Sequence, residues 1–314
     1  MIEILSNGAL NFVVDRGRFG FLDCGVSRSG PMDGLSFALG NAMVGNLSTA
    51  AGVEINSFPF KVRFSGPTTV VLTGAVSSNK LGTKELASWT AVRVEANEVL
   101  TVGAPRVGRC VYLAIRGGIK VPEVLGSFST DLKAEFGGYH SRALQKTDWV
   151  DIHSDENLRP VRNGYFRHEL ADYWKRLSAG EASARVLPSA EWDDFNTKSR
   201  DRFFGSLFQV ERSSNRQGYR LAGPEIVRSR ANELLSHGIV PGTVQIPSNG
   251  QPIIQLVDAN TCGGYPKLAN VIDADLWRLG QLMPGDRVRF ELVGVDEALS
   301  ARSEVAGLIA SAMG

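Results

Sequence analysis

Apolar and charged residues alternate along this chain with a period of two, and this limits what it can fold into more than any other feature. Lys61-Val62-Arg63-Phe64, Val92-Arg93-Val94-Glu95 and Arg287-Val288-Arg289-Phe290-Glu291-Leu292 each put apolar side chains on one face and charges on the other. Such runs suit half-buried antiparallel strands. Ser65-Gly66-Pro67 and Met283-Pro284-Gly285-Asp286 are turns between them, and the chain's 34 glycines supply many more. The expected fold class is therefore mainly β, with a few short helices.

The helical signals are four. Asp33 can cap a helix carrying Leu35, Ala38, Leu39 and Ala42, with Gly45 as its stop. A second runs over about Val161 to Ser178 with Phe166, Leu170, Trp174 and Leu177 on one stripe and Gly180 beyond. A third is expected near Asp273 to Leu279, and a fourth through Leu299, Val305, Leu308 and Ile309. At 314 residues the chain is long for one core, so two domains are expected. The polar stretch around His153 to Gly180 is the best boundary, giving a lobe over 1–180 and a second over 181–314. Arg63-Phe64-Ser65-Gly66-Pro67 reads like Arg220-Leu221-Ala222-Gly223-Pro224, and Trp89 has a counterpart in Trp277. A pseudo-repeat of two similar β units would explain both; chance matches of this length would too.

Charge excludes more than it suggests. The 34 basic and 33 acidic residues leave a formal charge of +1, with no footprint for nucleic acid and no steering toward an anionic membrane. Apolar runs such as Val70 to Leu72 and Val111 to Ile115 are strand-sized rather than membrane-spanning. The three cysteines, Cys24, Cys110 and Cys262, are odd in number and scattered, and Met1-Ile2-Glu3-Ile4 begins in strand-like alternation. A reduced, cytoplasmic protein is the expectation.

No compact catalytic or nucleotide motif is present. The segment Gly74 to Lys80 lacks the second glycine and the Ser/Thr of a phosphate-binding loop, and there is no Gly-x-Ser-x-Gly turn. His140, His153, His168 and His237 are isolated, so no metal site is expected. What remains is a set of polar, glycine-flanked loops. The foremost is Asp258-Ala259-Asn260-Thr261-Cys262-Gly263-Gly264-Tyr265-Pro266-Lys267, after the apolar run Ile253 to Val257. Paired glycines at φ > 0 would turn backbone N–H groups toward an anion or carbonyl. The same residues read equally as a turn with an exposed, solvated lysine. Further loops hold Asp15 and Arg18, Ser29 and Asp33, Asp131, and Asn215 to Arg220. Taken singly, each reads as a turn with a local ion pair or, for Asp33, as a helix cap. Together they suggest a site assembled from distant segments.

Four ordered stretches resemble one family: Gly30-Pro31-Met32-Asp33 with Asn41 to Asn46, Arg116-Gly117-Gly118 with Ser129 to Leu132, Asn215 to Pro224, and Gly242 to Lys267. This is the allophanate-hydrolase-subunit-2-like group, which includes the C subunit of 5-oxoprolinase and part of the carboxyltransferase domain of urea amidolyase. The resemblance covers about Gly8 to Phe290. It implies two cyclophilin-like β-barrel lobes, a subunit-1-like partner (the B subunit in 5-oxoprolinase) and, completing that enzyme, its A subunit. It also implies ATP-driven opening of 5-oxoproline to glutamate, with ATP, and Mg at the level of the complex, as cosubstrate. In that reading Arg216, Arg220 and Lys267 neutralise charge and Gly263 and Gly264 supply oxyanion donors. Asp258 orients or acts as base, Tyr265 forms a wall, and Asn215, Gln245 and Thr261 bind substrate or nucleotide. Two alternatives follow from the same resemblance. One is a biotin-dependent carboxyltransferase component acting on urea or a similar amide, with the biotin on another chain. The other is a regulatory antagonist of a sporulation kinase inhibitor. The family's usual Asp-x-Gln-Thr-Thr-Gly-Gly-Tyr-Pro departs here at Asn260 and Cys262, and its Gln before Asp15 is Val14, changes that bear on ligand choice.

Overall fold

Period-two alternation becomes strand wherever one face meets a core. In the computed structural model, which describes residues 1–154, 158–162, 170–230 and 234–313, the chain forms two compact units. One comprises residues 1–18, 29–174 and the C-terminal stretch from 307; the other comprises 19–28 and 175–306. These bounds depart from a single cut at 180/181, because a short N-terminal segment joins the second unit and the end of the last helix joins the first. Among the described residues no helix is long and apolar enough to cross a membrane.

In chain order the first unit holds β1 (Ile2–Ser6), β2 (Asn11–Val14), α1 (Gly34–Met43), β3 (Gly52–Ile55), β4 (Phe60–Phe64), β5 (Thr68–Leu81), β6 (Lys84–Leu86), β7 (Val92–Val94), β8 (Val99–Ile115) and β9 (Trp149–Val150). The path β2-β3-β8-β4-β1-β9 makes one antiparallel sheet, and β5 pairs with β6, β7 and the long β8. Irregular register between Gly74 and Asn79 bends β5 along β8, as bulges do. The sheet curls round a core containing Ile4, Val53, Val62, Phe64, Leu72, Val102 and Leu113. β4 keeps the expected alternation: Phe60, Val62 and Phe64 are buried, Lys61 and Arg63 exposed. α1 is capped by Asp33, whose carboxylate accepts from Ser36 N, and Gly45 follows its end at φ 81°. Every residue from Leu35 to Met43 is buried, so this helix has no polar face.

From α2 (Ala171–Ser178), whose first four residues belong to the first unit, the chain runs through β10 (Glu181–Pro188), α3 (Thr197–Gly205), β11 (Phe208–Val210), β12 (Gly218–Ala222), β13 (His237–Gly238), β14 (Thr243–Gln245), β15 (Ile253–Gln255), β16 (Cys262–Gly263), β17 (Lys267–Val271), α4 (Leu276–Gly280) and β18 (Arg287–Leu292) of the second unit to α5 (Val295–Met313), whose end returns to the first. Seven strands close a barrel in the order β10-β17-β14-β15-β12-β11-β18, sealed by parallel pairing of β18 with β10. Phe203 of α3 stacks on Phe290 with centroids 4.5 Å apart, and Phe208, Tyr219, Val244, Ile254 and Leu268 are fully buried. β13 and β16 form a separate two-stranded ribbon.

The mainly β expectation holds, with one lobe a closed barrel and the other a curled, partly barrel-like sheet. Of the helix expected over Val161 to Ser178, only α2 is observed; Phe166 and His168 lie outside the described residues. Trp89 and Trp277 do not share a local structure. Trp89 sits at φ 64° outside any helix, its Nε1 donating to Gly74 O, whereas Trp277 lies in α4. The second Arg-x-x-Gly-Pro has its own reason for glycine: a Cβ on Gly223 would collide with the Phe208 ring in the barrel core. Gly223→Ala is expected to cost about 1–3 kcal/mol through forced repacking of Phe208, read from urea unfolding; an unchanged midpoint would show that the ring yields freely.

Candidate functional site

Alternation in three neighbouring barrel strands builds a floor. Tyr219, Ile254 and Val244 point into the barrel core, so Gly218 and Arg220 of β12 and Ile253 and Gln255 of β15 face the other way, with Gln245 of β14 beside them. The register is direct: Gly218 opposes Gln255, and Ile253 opposes both Arg220 and Gln245. A cavity of about 480 Å³ stands on this floor. Its rim is Ser213, Asn215 and Gln217 on one side and Ile239, Asn260, Cys262, Gly263, Gly264 and Tyr265 on the other.

The lining is rich in side-chain amides and contains one cation, Arg220; no carboxylate is among its described residues. Gln255 Nε2 donates to Gln245 Oε1 at 2.7 Å, and Gln245 Nε2 donates to Tyr265 O at 3.4 Å. This chain of bonds fixes both amide orientations and leaves Gln255 Oε1 as an acceptor at the floor. Asn215 Oδ1 accepts from Gln217 N at 2.8 Å, which holds the rim loop. Tyr265, 52% exposed, stands at the mouth.

Several expected site residues lie elsewhere. Lys267 is not an exposed lysine: it is only 3% accessible and does not line the cavity. Its Nζ lies 2.5 Å from His237 Nε2 and donates to Gly263 O at 3.3 Å, while its backbone N donates to Glu191 Oε2 at 2.8 Å. Asp258 and Arg216 also fall outside the lining. They form a two-point ion pair, Nε to Oδ2 at 2.7 Å and Nη2 to Oδ1 at 3.2 Å, so each neutralises the other rather than a ligand. Thr261 uses its carbonyl to accept from Ile239 N and is not in the lining. Neither Gly263 nor Gly264 has the expected positive φ. Close approach to backbone constrains Gly264, where a Cβ would sit 3.1 Å from Leu234 O, while at Gly263 a Cβ would sit 2.8 Å from the side-chain tip Ile239 Cδ1, which can move.

The polar loops of the first unit are committed to their own backbone. Asp15 accepts from Gly17 N, Phe128 N, Ser127 Oγ and Ser129 Oγ at 2.5–2.9 Å. Arg18 donates to Ser129 O and lies over the Phe136 ring. Ser29 Oγ donates to Asp131 Oδ2 at 3.0 Å, and Asp131 Oδ1 accepts from Lys133 N and Ala134 N. Asp33 is a helix cap. These buried carboxylates satisfy loops that would otherwise leave polar groups orphaned, and none of them is in the cavity lining. No group of three or more His, Cys, Asp or Glu able to hold a metal occurs among the described residues.

Three residues with no place in the sequence-based set are His237, Glu191 and Gln255. Gln255 is within reach of the sequence, because period two along Ile253-Ile254-Gln255 places it beside Ile253. His237 and Glu191 lie 30 and 76 residues from Lys267 and carry no local signal.

The ion pair and the buried lysine can each be tested by stability. Asp258→Ala leaves a buried guanidinium without its carboxylate and is expected to cost about 3 kcal/mol, the low end for a pair that keeps some solvent access, whereas the apolar pair Arg216→Met/Asp258→Leu recovers at least half in the same urea titration. Burial lowers the Lys267 pKa below the usual lysine value, with Glu191 opposing. The folded chain thus holds this proton less tightly than the unfolded chain. The burial penalty is full below the folded pKa and fades as pH rises toward the ordinary lysine range. Wild-type stability relative to Lys267→Met should rise across that alkaline window; a flat difference would place the ammonium in water.

Known proteins align with this chain over nearly its full length. The family described as carboxyltransferase domain, subdomain A and B, matches residues 24–292. A protein of Escherichia coli K12 named as the C subunit of 5-oxoprolinase is 38% identical over 306 residues, 97% of this chain and 95% of its own length. The Haemophilus influenzae protein of the same name is 35% identical over 96% of this chain and 94% of its own. The structure of Kluyveromyces lactis urea carboxylase superposes with a TM-score of 0.92 at 30% identity, covering 99% of this chain but 29% of that larger one.

Proposed function

Because this chain belongs to the carboxyltransferase-domain family, subdomains A and B, and aligns end to end with two proteins named as the C subunit of 5-oxoprolinase, we propose that it fills the same place in an ATP-dependent 5-oxoprolinase. The observation that carries the reading is the chemistry of the cavity. Side-chain amides and a single guanidinium, without a carboxylate among the described lining residues, suit a small ligand bearing one negative charge and one cyclic amide. 5-Oxoproline has both. Arg220, which no carboxylate of the described residues engages, would hold the ligand carboxylate. Gln255 Oε1 would accept from the lactam N–H, and the amide chain through Gln245 keeps that oxygen in place. Tyr265 and the Gly263–Gly264 segment would close the mouth.

A triphosphate does not fit the same lining. One cation is too few to neutralise it, and no described residue of the lining offers a carboxylate for the magnesium that accompanies it. We therefore place ATP and Mg on a partner protein, with this chain presenting the lactam. Opening an unactivated amide needs its carbonyl oxygen made a better leaving group, and that activation would come from the partner. The likeness to urea carboxylase supports a second reading, transfer of a carboxyl group from carboxybiotin on another chain to an amide.

Co-expression with homologues of the A and B subunits and assay of glutamate from ATP and 5-oxoproline tests this directly. The single chain is expected to be silent and the assembly active; turnover of carboxybiotin with urea, but not of 5-oxoproline, would favour the second reading. Within an active assembly, Arg220→Gln should raise KM for 5-oxoproline about tenfold, the low end for an exposed charge-assisted bond. It should leave weak turnover of 2-pyrrolidone, which lacks the carboxylate, unchanged. An equal loss on both compounds would remove Arg220 from carboxylate binding.

A further inference from the structure

The ribbon of β13 and β16 is paired over only two residues on each strand and stands outside the barrel ring. A two-stranded element of that size has little stability of its own. Yet residues on and beside it, Ile239, Cys262, Gly263 and Gly264, make one wall of the cavity. Something must tie it to the barrel, and the described side chains show what does.

Lys267 is the first residue of barrel strand β17. Its Nζ reaches both strands of the ribbon, at 2.5 Å from His237 Nε2 on β13 and 3.3 Å from Gly263 O on β16. His237 Nδ1 lies 3.0 Å from Leu235 O, so the ring proton belongs on Nδ1 and the Nε2 lone pair is free to accept from the ammonium. Glu191, from the loop after β10, completes the arrangement. One of its oxygens accepts from Lys267 N at 2.8 Å; the other lies 3.2 Å from His237 Nε2 with no proton between them, a contact offset by the positive charge of the adjacent Lys267 ammonium. A carboxylate, an imidazole and an ammonium from three separate segments thus meet behind the cavity wall, and none of the three lines the cavity.

We propose that Glu191, His237 and Lys267 form a latch that fixes the ribbon against the barrel and thereby positions the Gly263–Gly264 wall of the ligand cavity. The three are positioning residues: they act on the ligand through the ribbon and do not touch it. The consequence for the site rests on the cavity being the lactam site, as proposed above. The latch itself rests on the contacts alone.

Hydrogen–deuterium exchange on the full chain reads the latch without any activity. Lys267→Met and His237→Leu should speed exchange of the amides in 237–239 and 262–264 by at least about fivefold while β10, β12 and β18 keep wild-type protection. His237→Gln, whose side-chain oxygen can still accept from Nζ, should remain within about twofold of wild type. Should His237→Leu raise exchange throughout the barrel, Glu191→Gln provides the milder cut, with loss confined to the ribbon. Unchanged ribbon exchange in both Lys267→Met and His237→Leu would overturn the latch. In the active assembly, Lys267→Met should raise KM for 5-oxoproline about tenfold with kcat changed much less. A collapse of kcat with ribbon exchange unaltered would instead make Lys267 a group acting at the reacting atoms. An assembly without lactam turnover would count against the functional reading and leave the exchange result standing.

Discussion

The closure of the second-unit barrel by β10 and β18 is the constraint on which the candidate site depends. Six consecutive residues, Glu181 to Val186, pair in parallel with Arg287 to Leu292, while every other neighbouring pair in the ring is antiparallel. Strands more than a hundred residues apart are joined, and the ring has no free edge. A closed ring cannot slip register at one strand without disturbing the next. The relative heights of Arg220, Ile253, Gln255 and Gln245 are therefore fixed by the whole barrel. Small differences between floor residues then become differences in ligand fit.

Buried polar residues serve opposite ends in the two units. Asp15 and Asp131 fold loops: their carboxylates accept from backbone N–H groups and from hydroxyls, Ser29 Oγ among them, that burial has cut off from water. Arg216 and Asp258 do the same for the loop before β12 and the turn after β15. The cavity, in contrast, is lined by neutral amides, which can face water or ligand without the desolvation cost of a buried charge. A glycine-flanked carboxylate is thus a poor marker of a ligand site in this fold, because the same irregular loops need carboxylates to be stable.

Much of the architecture is legible in the chain. Alternation identifies β4, β7 and β18, and the Asp33 cap and Gly45 stop bound α1 within a residue or two. α3 is short and amphipathic only around Phe203, so periodicity does not reveal it, although Asn196 caps it by accepting from Ser199 N. At the site, Asn260, the stretch from Cys262 to Tyr265 and the positions Asn215, Arg220 and Gln245 do come together, without Thr261. Lys267 departs from expectation because a lysine beside Gly-Gly and Pro reads as solvated. Only the pairing of β14 with β17, which sets Lys267 opposite Gln245, carries it inside. His237 reads as isolated because its partners arrive through the barrel rather than along the sequence.

The cavity recognises better than it reacts. Its described lining has donors and acceptors for an amide and one cation for an acid, but no carboxylate or imidazole placed to take a proton from water. Ser213, Cys262 and Tyr265 are the remaining lining residues with a hydroxyl or thiol proton, and all three lie at the exposed rim. General-base catalysis needs a group with suitable basicity within hydrogen-bond reach of the attacking water. A lactam seated on this floor would be held and oriented, with its carbonyl left for groups from elsewhere to activate. Orientation of that kind is worth several kcal/mol only once a second reactant is brought into line with it. On the 5-oxoprolinase reading proposed above, those groups would come from a partner chain and reach the lactam across the exposed, amide-lined mouth.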